Sequence, residues 1–164
     1  MTALRTVIGT VPDLEVLMYR AVTTLVAGLL VVGGAAFNAS PAAAAIPTCN
    51  SAKAVPGYNN IYMRVPVHAA TGSTVCALAQ GNAGAGVLEL QRALNKCFYQ
   101  AYGSSRSYWP LVEDGDFGPN TKKALTEAQD HHTDVPEDID GVYGPITRDL
   151  LLWRLASGNG CWFN

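Results

Sequence analysis

The sequence of 164 residues lacks the short patterns that mark several kinds of functional site. No C-x-x-C or H-x-x-x-H spacing occurs, which argues against a zinc site. G-x-S-x-G and H-E-x-x-H are also absent, so the signatures of many serine hydrolases and zinc proteases are missing. There is no run of basic residues and the formal charge is −2, which argues against nucleic acid as a partner. We therefore expect no cofactor, no metal and no nucleic acid.

The longest uncharged hydrophobic stretch, residues 21–36, is too short for a transmembrane helix. It covers about 16 residues, whereas a membrane-spanning helix needs about 20. Arg20 precedes it, and Ala43 and Ala45 follow in the A-x-A relation, which is typical of a secretory signal peptide. We predict a signal peptide over residues 1–45. The product is then secreted, extracellular or associated with the cell wall, with no membrane contact after cleavage.

The first residues do not fit a signal peptide, because Asp13 and Glu15 stand where positive charge is expected. A start at Met18 would leave these acids out and give a short basic n-region, Met-Tyr-Arg, before the hydrophobic stretch. We predict that translation starts at Met18 or that residues 1–17 are dispensable. N-terminal sequencing of the precursor tests this.

Four cysteines remain after the predicted cleavage, and an even number in a short secreted chain indicates two disulfides. They are Cys49, Cys76, Cys97 and Cys161. Three pairings are possible. Joining Cys76 to Cys161 would tie together the ends of the repeated region described next. We favour that pairing, with Cys49 joined to Cys97, and a peptide map under non-reducing conditions tests it.

A stretch of the C-terminal half is repeated, because residues 112–125 align with residues 138–151 and share the pattern D-G-x-[FY]-G-P-x-T. Asp-Gly favours a tight turn, with the glycine at positive φ and the aspartate accepting hydrogen bonds from nearby backbone. Gly-Pro favours a helix start, since proline suits the first helical position. The threonine can satisfy a free N–H of the first turn. We predict helices that begin at Pro119 and Pro145.

Hydrophobic periodicity predicts a further helix before the repeat and an inward face on each later one. In the first helix the apolar stripe is Val87, Leu90, Ala93, Leu94 and Cys97. The glycines ahead of it, G-N-A-G-A-G, lack the G-x-G-x-x-G order of a nucleotide site, and we interpret them as a flexible approach. In the second helix Leu125 and Ala128 face inward. In the third, which Gly158 would end, the face comprises Ile146, Leu150, Leu151, Trp153 and Leu155.

The segment before these helices, residues 46–75, is rich in proline, glycine and small polar residues. Ile61, Met63, Val65 and Val67 alternate as in a strand. Pro66 interrupts the pattern, which favours an edge strand or an extended arm. We predict a short extended or β-like N-terminal arm over residues 46–75 and one domain over residues 76–164.

Three motifs in this order, G-V-L-E-L-Q-R-A-L, D-G-D-F-G-P-N-T-K-K-A-L and D-G-V-Y-G-P-I-T, resemble the peptidoglycan-binding domain of the type-1 class. The resemblance implies a mainly α fold, a small three-helix bundle, of the kind carried by bacterial wall hydrolases and other exported proteins. Two positions depart from the family pattern. Ala128 stands where an aromatic or branched residue is usual, and the connection over residues 129–140 is a few residues longer.

The resemblance also implies a function, namely a secreted, non-catalytic and monomeric module that binds bacterial peptidoglycan. A shallow groove would form at the repeated turns, where backbone N–H groups at the helix starts can bind carbonyl or carboxylate groups of the peptide stem. The predicted ligand-binding residues are Gln91, Asp114, Gly115, Phe117, Thr121, Asp140, Gly141, Tyr143 and Thr147. Tyr108 and Trp109 could stack on sugar rings or, alternatively, close the core as a hydrophobic plug.

Other interpretations remain open from the sequence. Asp114 and Asp140 could form a glycosidase pair, although their recurrence in one frame favours a structural role in the turns. His131 and His132 could bind a metal, although an exposed helix end is favoured, where histidine suits the helix dipole. The alternatives to wall binding are an exported protein-interaction scaffold and a wall hydrolase. A hydrolase would need catalytic residues in residues 46–80, which contain no aspartate or glutamate, so we expect no enzyme.

Overall fold

The computed structural model describes residues 45–158 and 160–163. The predicted start at Met18 and nearly all of the predicted signal peptide lie outside the described residues and stay predictions. The described part forms one compact unit, assigned to residues 43–164. None of its helices combines the length and hydrophobicity that crossing a bilayer requires.

The first helical segment is continuous. Helix α1 (Ala85–Ala93) runs directly into a π-helical turn (Leu94–Tyr99) and a last short turn, α2 (Gln100–Tyr102). The predicted apolar stripe is buried along its whole length. That prediction is confirmed, because a stripe at helical spacing has one face to bury.

The two repeated units form helices where the Gly-Pro pairs predict them. Helix α3 (Pro119–His132) and helix α4 (Pro145–Leu150) each begin at the proline, with the preceding glycine in an extended conformation as N-cap. A short 3₁₀ turn (Pro136–Asp138) lies between them. Proline is thus at the first helical position, as expected for a residue with no N–H to leave unpaired.

The third helix is much shorter than predicted. It ends at Leu150, and the chain continues as strand β3 (Leu152–Arg154), which pairs antiparallel with β4 (Cys161–Phe163). Leu151 and Trp153 are buried while Ile146 is 58% exposed. The prediction of a helix lasting to Gly158 is therefore wrong. Its apolar residues follow the two-residue alternation of a strand, which a short stretch does not separate from a helical stripe.

A hairpin precedes the helices. Strand β1 (Ser51–Pro56) pairs antiparallel with β2 (Tyr62–Val67), in register from Ser51 opposite Val67 to Pro56 opposite Tyr62. The predicted strand character of residues 61–67 is confirmed, whereas β1 was not predicted. Two-stranded sheets have only edge strands, which explains how β2 accommodates Pro66.

The predicted three-helix bundle is wrong. Among the described residues, three helical segments share the fold with two small antiparallel sheets, and α4 has only six residues. Met63 and Val65 of β2, Val87 and Leu90 of α1 and Trp153 of β3 belong to one buried cluster. The hairpin is therefore part of the same core as the helices, because its apolar face has no other surface to cover it.

The cysteines form two disulfides, as predicted, but with a different pairing. Cys49 is joined to Cys76 and Cys97 to Cys161, with Cα–Cα distances of 5.1 and 5.6 Å. Cys49 lies beside Cys76 because its backbone N–H donates to the Ala77 carbonyl at 3.0 Å. The favoured pairing of Cys76 with Cys161 is wrong, since it took no account of the hairpin between Cys49 and Cys76.

A buried carboxylate joins three elements. Glu89 of α1 is 1% exposed and accepts hydrogen bonds from Arg154 of β3, at 2.8 and 3.0 Å, and from Arg64 of β2, at 3.2 Å. Burying a carboxylate is costly unless it is paired and hydrogen-bonded. The two arginines meet that condition, and they fix β2 and β3 to the same point of α1.

Candidate functional site

The first repeated turn is held by a buried glutamine. The side-chain N–H₂ of Gln91 donates to Asp114 Oδ1 at 2.8 Å, to the Asp116 carbonyl at 3.0 Å and to Thr121 Oγ1 at 3.2 Å. Its Oε1 accepts from the backbone N–H of Gly115 at 2.8 Å. One side chain of α1 thereby fixes the turn that leads into α3. We call Gln91 with residues 114–121 the first Gln–turn unit.

The second repeated turn has the same hydrogen bonds, made by Gln129 of α3. Its N–H₂ donates to Asp140 Oδ1 at 3.1 Å, to the Val142 carbonyl at 3.1 Å and to Thr147 Oγ1 at 3.0 Å, and its Oε1 accepts from Gly141 N–H at 2.8 Å. Gln129 with residues 140–147 is the second Gln–turn unit. Gln129 was missed as a site residue, although a polar side chain beside the inward-facing Ala128 could have marked it.

The two aspartates serve as acceptors inside the turns. Asp114 Oδ1 accepts from Asp116 N–H at 2.9 Å, and Asp140 Oδ1 accepts from Val142 N–H at 2.8 Å. The Asp116 N–H and then the Gln91 amide lower the pKa of Asp114. Each following glycine has a positive φ, 78° and 69°, as the Asp-Gly pattern predicts. These contacts give the aspartates the structural role that the repeat favours.

Most of the other predicted ligand-binding side chains lie inside the protein. Phe117 and Tyr143 are 1% and 0% exposed, and Thr121 and Thr147 are buried as well. The Tyr143 ring contacts Trp153 edge-on at 5.7 Å between centroids. Its hydroxyl has no hydrogen-bond partner in the described part of the chain, and burial raises its pKa. These residues shape the turns from within, and ligand contact by their side chains stays a prediction.

The segment before α1 pairs with both turns. Phe117 N–H donates to the Asn82 carbonyl at 2.9 Å, and Tyr143 N–H donates to the Leu78 carbonyl at 2.8 Å. Gly84 N–H donates to the Gly115 carbonyl at 2.8 Å. The two Gln–turn units are thus connected through one strand-like segment, which fixes their positions relative to α1.

Surface grooves open beside the turns. The first-repeat groove, with a volume of about 440 Å³, lies where the first turn meets the start of α3. Its lining includes Tyr108, Leu111, Asp114, Asp116, Asn120 and Thr121. The second-repeat groove is the smaller equivalent, about 180 Å³, and its lining includes Asp140, Val142, Pro145 and Thr147. The motif residues therefore contribute to surface grooves even where their side chains also hold the turn.

A third groove, of about 610 Å³, runs along the outer side of α3. We call it the lysine groove, and its lining includes Arg106, Lys122, Lys123, Glu127, Asp130 and Ile139. Tyr108 and Pro119 line both this groove and the first-repeat groove. The two grooves therefore adjoin, and a ligand lying across Tyr108 would reach both.

The loop between the first helical segment and the first turn is anchored on Glu127. This carboxylate accepts from Tyr108 Oη at 2.6 Å, Trp109 Nε1 at 2.8 Å and Ser104 Oγ at 2.8 Å. Burial alone would raise the pKa of Glu127, but these hydrogen bonds and the charge of Arg106 outweigh it and lower the pKa. Burial and the bond to Glu127 raise the pKa of Tyr108 to about 12. Tyr108 thus stays a neutral donor at physiological pH.

The two residues proposed for sugar stacking have different surroundings. Trp109 is 7% exposed, with its ring stacked on Tyr99 at 5.4 Å between centroids and 8° between planes. It closes the core, as in the alternative interpretation of this loop. Tyr108 is half-buried at the junction of two grooves, so it is the one of the pair that a ligand can contact in this structure.

The adjacent histidines lie in the last turn of α3, as predicted. The His131 ring is 4.0 Å from Tyr102, and His132 is 5.9 Å from Phe163, centroid to centroid. Burial, and then the neighbouring His131, lower the pKa of His132. No group of three or more metal-binding side chains occurs within the described ranges. The histidines thus belong to an aromatic cluster at this end of the protein.

Comparison with known families covers the part of the chain that holds both Gln–turn units. Residues 83–151 match the family model described as "Putative peptidoglycan binding domain". The resemblance to the peptidoglycan-binding family is thereby confirmed for this segment. It begins just ahead of α1 and ends just after α4, so the β1–β2 hairpin and the β3–β4 pair lie outside it. No curated protein and no solved structure matches the chain.

Proposed function

We propose that this protein binds bacterial cell-wall peptidoglycan, with the first-repeat groove and the adjoining lysine groove as the binding surface. The observation that carries the proposal is the family match over residues 83–151. That segment contains both Gln–turn units, and the first unit forms one wall of the first-repeat groove. The buried motif residues would support the binding surface from within, and the residues that line the grooves would form it.

The start of α3 supplies hydrogen-bond donors to this surface. No side chain caps the helix, and the first N–H groups of a helix have no partner within it. Asn120 and Thr121, which follow Pro119 at this helix start, line the first-repeat groove. Their backbone N–H groups would donate to carbonyl or carboxylate oxygens of the peptide stem. The Gln91 side chain holds this helix start in place, which lowers the entropy lost on binding.

We further propose that binding proceeds without catalysis and outside the cytoplasm. Asp114 and Asp140 each accept hydrogen bonds within their own turn, which supports a structural rather than a proton-transfer role. The two disulfides are typical of proteins that fold in an oxidising compartment. The disulfides would form and persist at the cell wall, so we propose a location there.

Sedimentation with insoluble peptidoglycan tests the proposal. We expect the protein to be enriched in the pellet over a control domain. Replacing Asn120 by tryptophan should fill the first-repeat groove and weaken binding by about tenfold, a change of about 1.4 kcal/mol. The matched control is Gln100→Trp, because Gln100 is exposed and lines none of the three grooves. Wild-type protein that stays in the supernatant would overturn the proposal.

A further inference from the structure

Three cations of the lysine groove form no salt bridge with another described residue. Arg106, Lys122 and Lys123 line it and are exposed. None of them takes part in an ion pair within the part of the chain that the structure describes, whereas the other four described arginines are all paired. Among the described arginines, Arg106 alone forms no salt bridge, although its charge helps to lower the pKa of Glu127.

The two acids of this groove offset only part of the charge of its three cations. Both Glu127 oxygens already accept hydrogen bonds from the loop at residues 104–109. Asp130 is the other acid in the lining. Three cations against two acids leave a formal charge of +1 in the groove (3 − 2 = 1), on a chain whose formal charge is −2. The groove therefore favours an anionic ligand on a protein that otherwise repels one.

The adjoining first-repeat groove has the opposite charge. Asp114 and Asp116 line it, together with neutral side chains and no lysine or arginine. The two grooves adjoin at Tyr108 and Pro119, which offer an apolar surface between them. The combined surface is thus positive on one side, apolar in the middle and negative on the other.

Lys122 is held in position by the second Gln–turn unit. A Cβ atom on Gly141 would lie 2.8 Å from Lys122 Cγ and 2.6 Å from Thr126 Oγ1, so the second turn lies directly against this face of α3. The turn restricts the stem of this lysine, which also lines the groove. A cation that is ordered before binding loses less entropy when it meets a carboxylate.

We propose that the lysine groove is a carboxylate subsite for the peptide stem of peptidoglycan. The stem lies across Tyr108, with free carboxylates at Arg106, Lys122 and Lys123 and with amine or amide N–H groups towards Asp114 and Asp116. This inference rests on the proposed function and adds to it a requirement for stems whose carboxylates are free. It also gives the ligand a direction along the surface.

The test compares native insoluble peptidoglycan with the same material after chemical amidation of its carboxyl groups. Wild-type protein should bind the amidated material at least about fivefold more weakly, and added salt should weaken binding to the native material, since exposed charge pairs are screened. The double variant Arg106→Gln, Lys123→Gln should bind both materials equally and as weakly as wild type binds the amidated one. The matched control is Lys53→Gln with Lys96→Gln, since both lysines are exposed and line none of the three grooves.

The outcomes separate the two proposals. Equal binding of wild type to both materials, or wild-type behaviour of the double variant, would overturn the carboxylate subsite while leaving peptidoglycan binding in place. Failure of wild type to bind either material would overturn both. Weaker binding by the control variant to the same extent would show a general effect of charge and would also overturn the subsite.

Discussion

At the scale of single residues, the two repeated turns depend on two buried glutamines whose side-chain amides form hydrogen bonds through both nitrogen and oxygen. The two hydrogens on each Nε2 are shared among three acceptors within hydrogen-bond distance, and each Oε1 accepts from one glycine N–H. A buried amide without partners costs free energy, whereas a satisfied one specifies its surroundings. The sequence marks the aspartate, glycine and proline of each turn, because these residues have strong local preferences. The glutamine of each unit is harder to recognise from the sequence, because its hydrogen-bond partners come from another part of the chain.

Replacing Gln129 by leucine should destabilise the protein by about 2–3 kcal/mol, because Gly141 N–H loses its acceptor and Thr147 loses a donor in a buried site. Urea unfolding with the disulfides intact measures the change. The matched control is Gln100→Leu at an exposed position, for which we expect a change below about 0.5 kcal/mol. Equal stability of the two variants would show that the hydrogen bonds of the second unit contribute little.

At the scale of elements, the predictions that held came from signals within one segment, whereas pairings between distant segments and the extent of the third helix were predicted wrongly. The two Gly-Pro helix starts and the buried stripe of the first helix are confirmed. Strand β1 and the β3–β4 pair were missed, because each strand is short and gains its stability from a partner that its own sequence does not show. The same limit explains the incorrect disulfide pairing, which depends on the unpredicted hairpin.

The role of Gly86 in helix α1 becomes clear only from the hairpin that packs against it. The glycines before α1 were interpreted as a flexible approach, but Gly86 lies within α1 and is buried against the start of the hairpin. A Cβ atom at this position would lie 1.9 Å from the Cys49 carbonyl oxygen. The glycine therefore permits helix and hairpin to approach closely, a role that only the folded chain reveals.

The substitution Gly86→Ala should cost at least about 2 kcal/mol of unfolding free energy, because the backbone at Cys49 has to move away from the new methyl group. The matched control is Gly118→Ala, where a Cβ meets nothing within 4 Å and φ is −83°. Thermal unfolding followed by circular dichroism compares the two. A smaller loss for Gly86→Ala than for the control would show that the contact relaxes easily.

At the scale of the whole molecule, the hairpin, the helices and the C-terminal strands share one core and one buried carboxylate, Glu89. The region of the candidate site could be predicted from the motifs, but most of its exposed surface could not. Phe117, Thr121 and Tyr143 are marked by the motif because they build the turns, and for that reason they are buried. Arg106 lies outside the repeated stretch and Lys123 is a position at which the two copies differ, so the motif does not identify either of them as a groove residue.

Removing the disulfide between Cys97 and Cys161 should lower stability by about 4 kcal/mol on the chain-entropy estimate, since it closes a separation of 64 residues. Binding of the double variant Cys97→Ala, Cys161→Ala to peptidoglycan should persist at low temperature, because the grooves are formed by other residues. Calorimetry and sedimentation with peptidoglycan measure the two quantities. Loss of binding in a variant that remains folded would contradict the proposed location of the surface.

The spacing within the two Gln–turn units has a consequence for how such a domain can diversify. Gln91 precedes Asp114 by 23 residues and Gln129 precedes Asp140 by 11, yet the hydrogen bonds are the same. The same hydrogen bonds therefore form across connections of different lengths. The longer connection carries the exposed Arg106 as well as Trp109, which belongs to the core. An exposed position such as Arg106 can therefore change while the helix start and the core stay fixed, so that ligand preference can be altered without altering the fold.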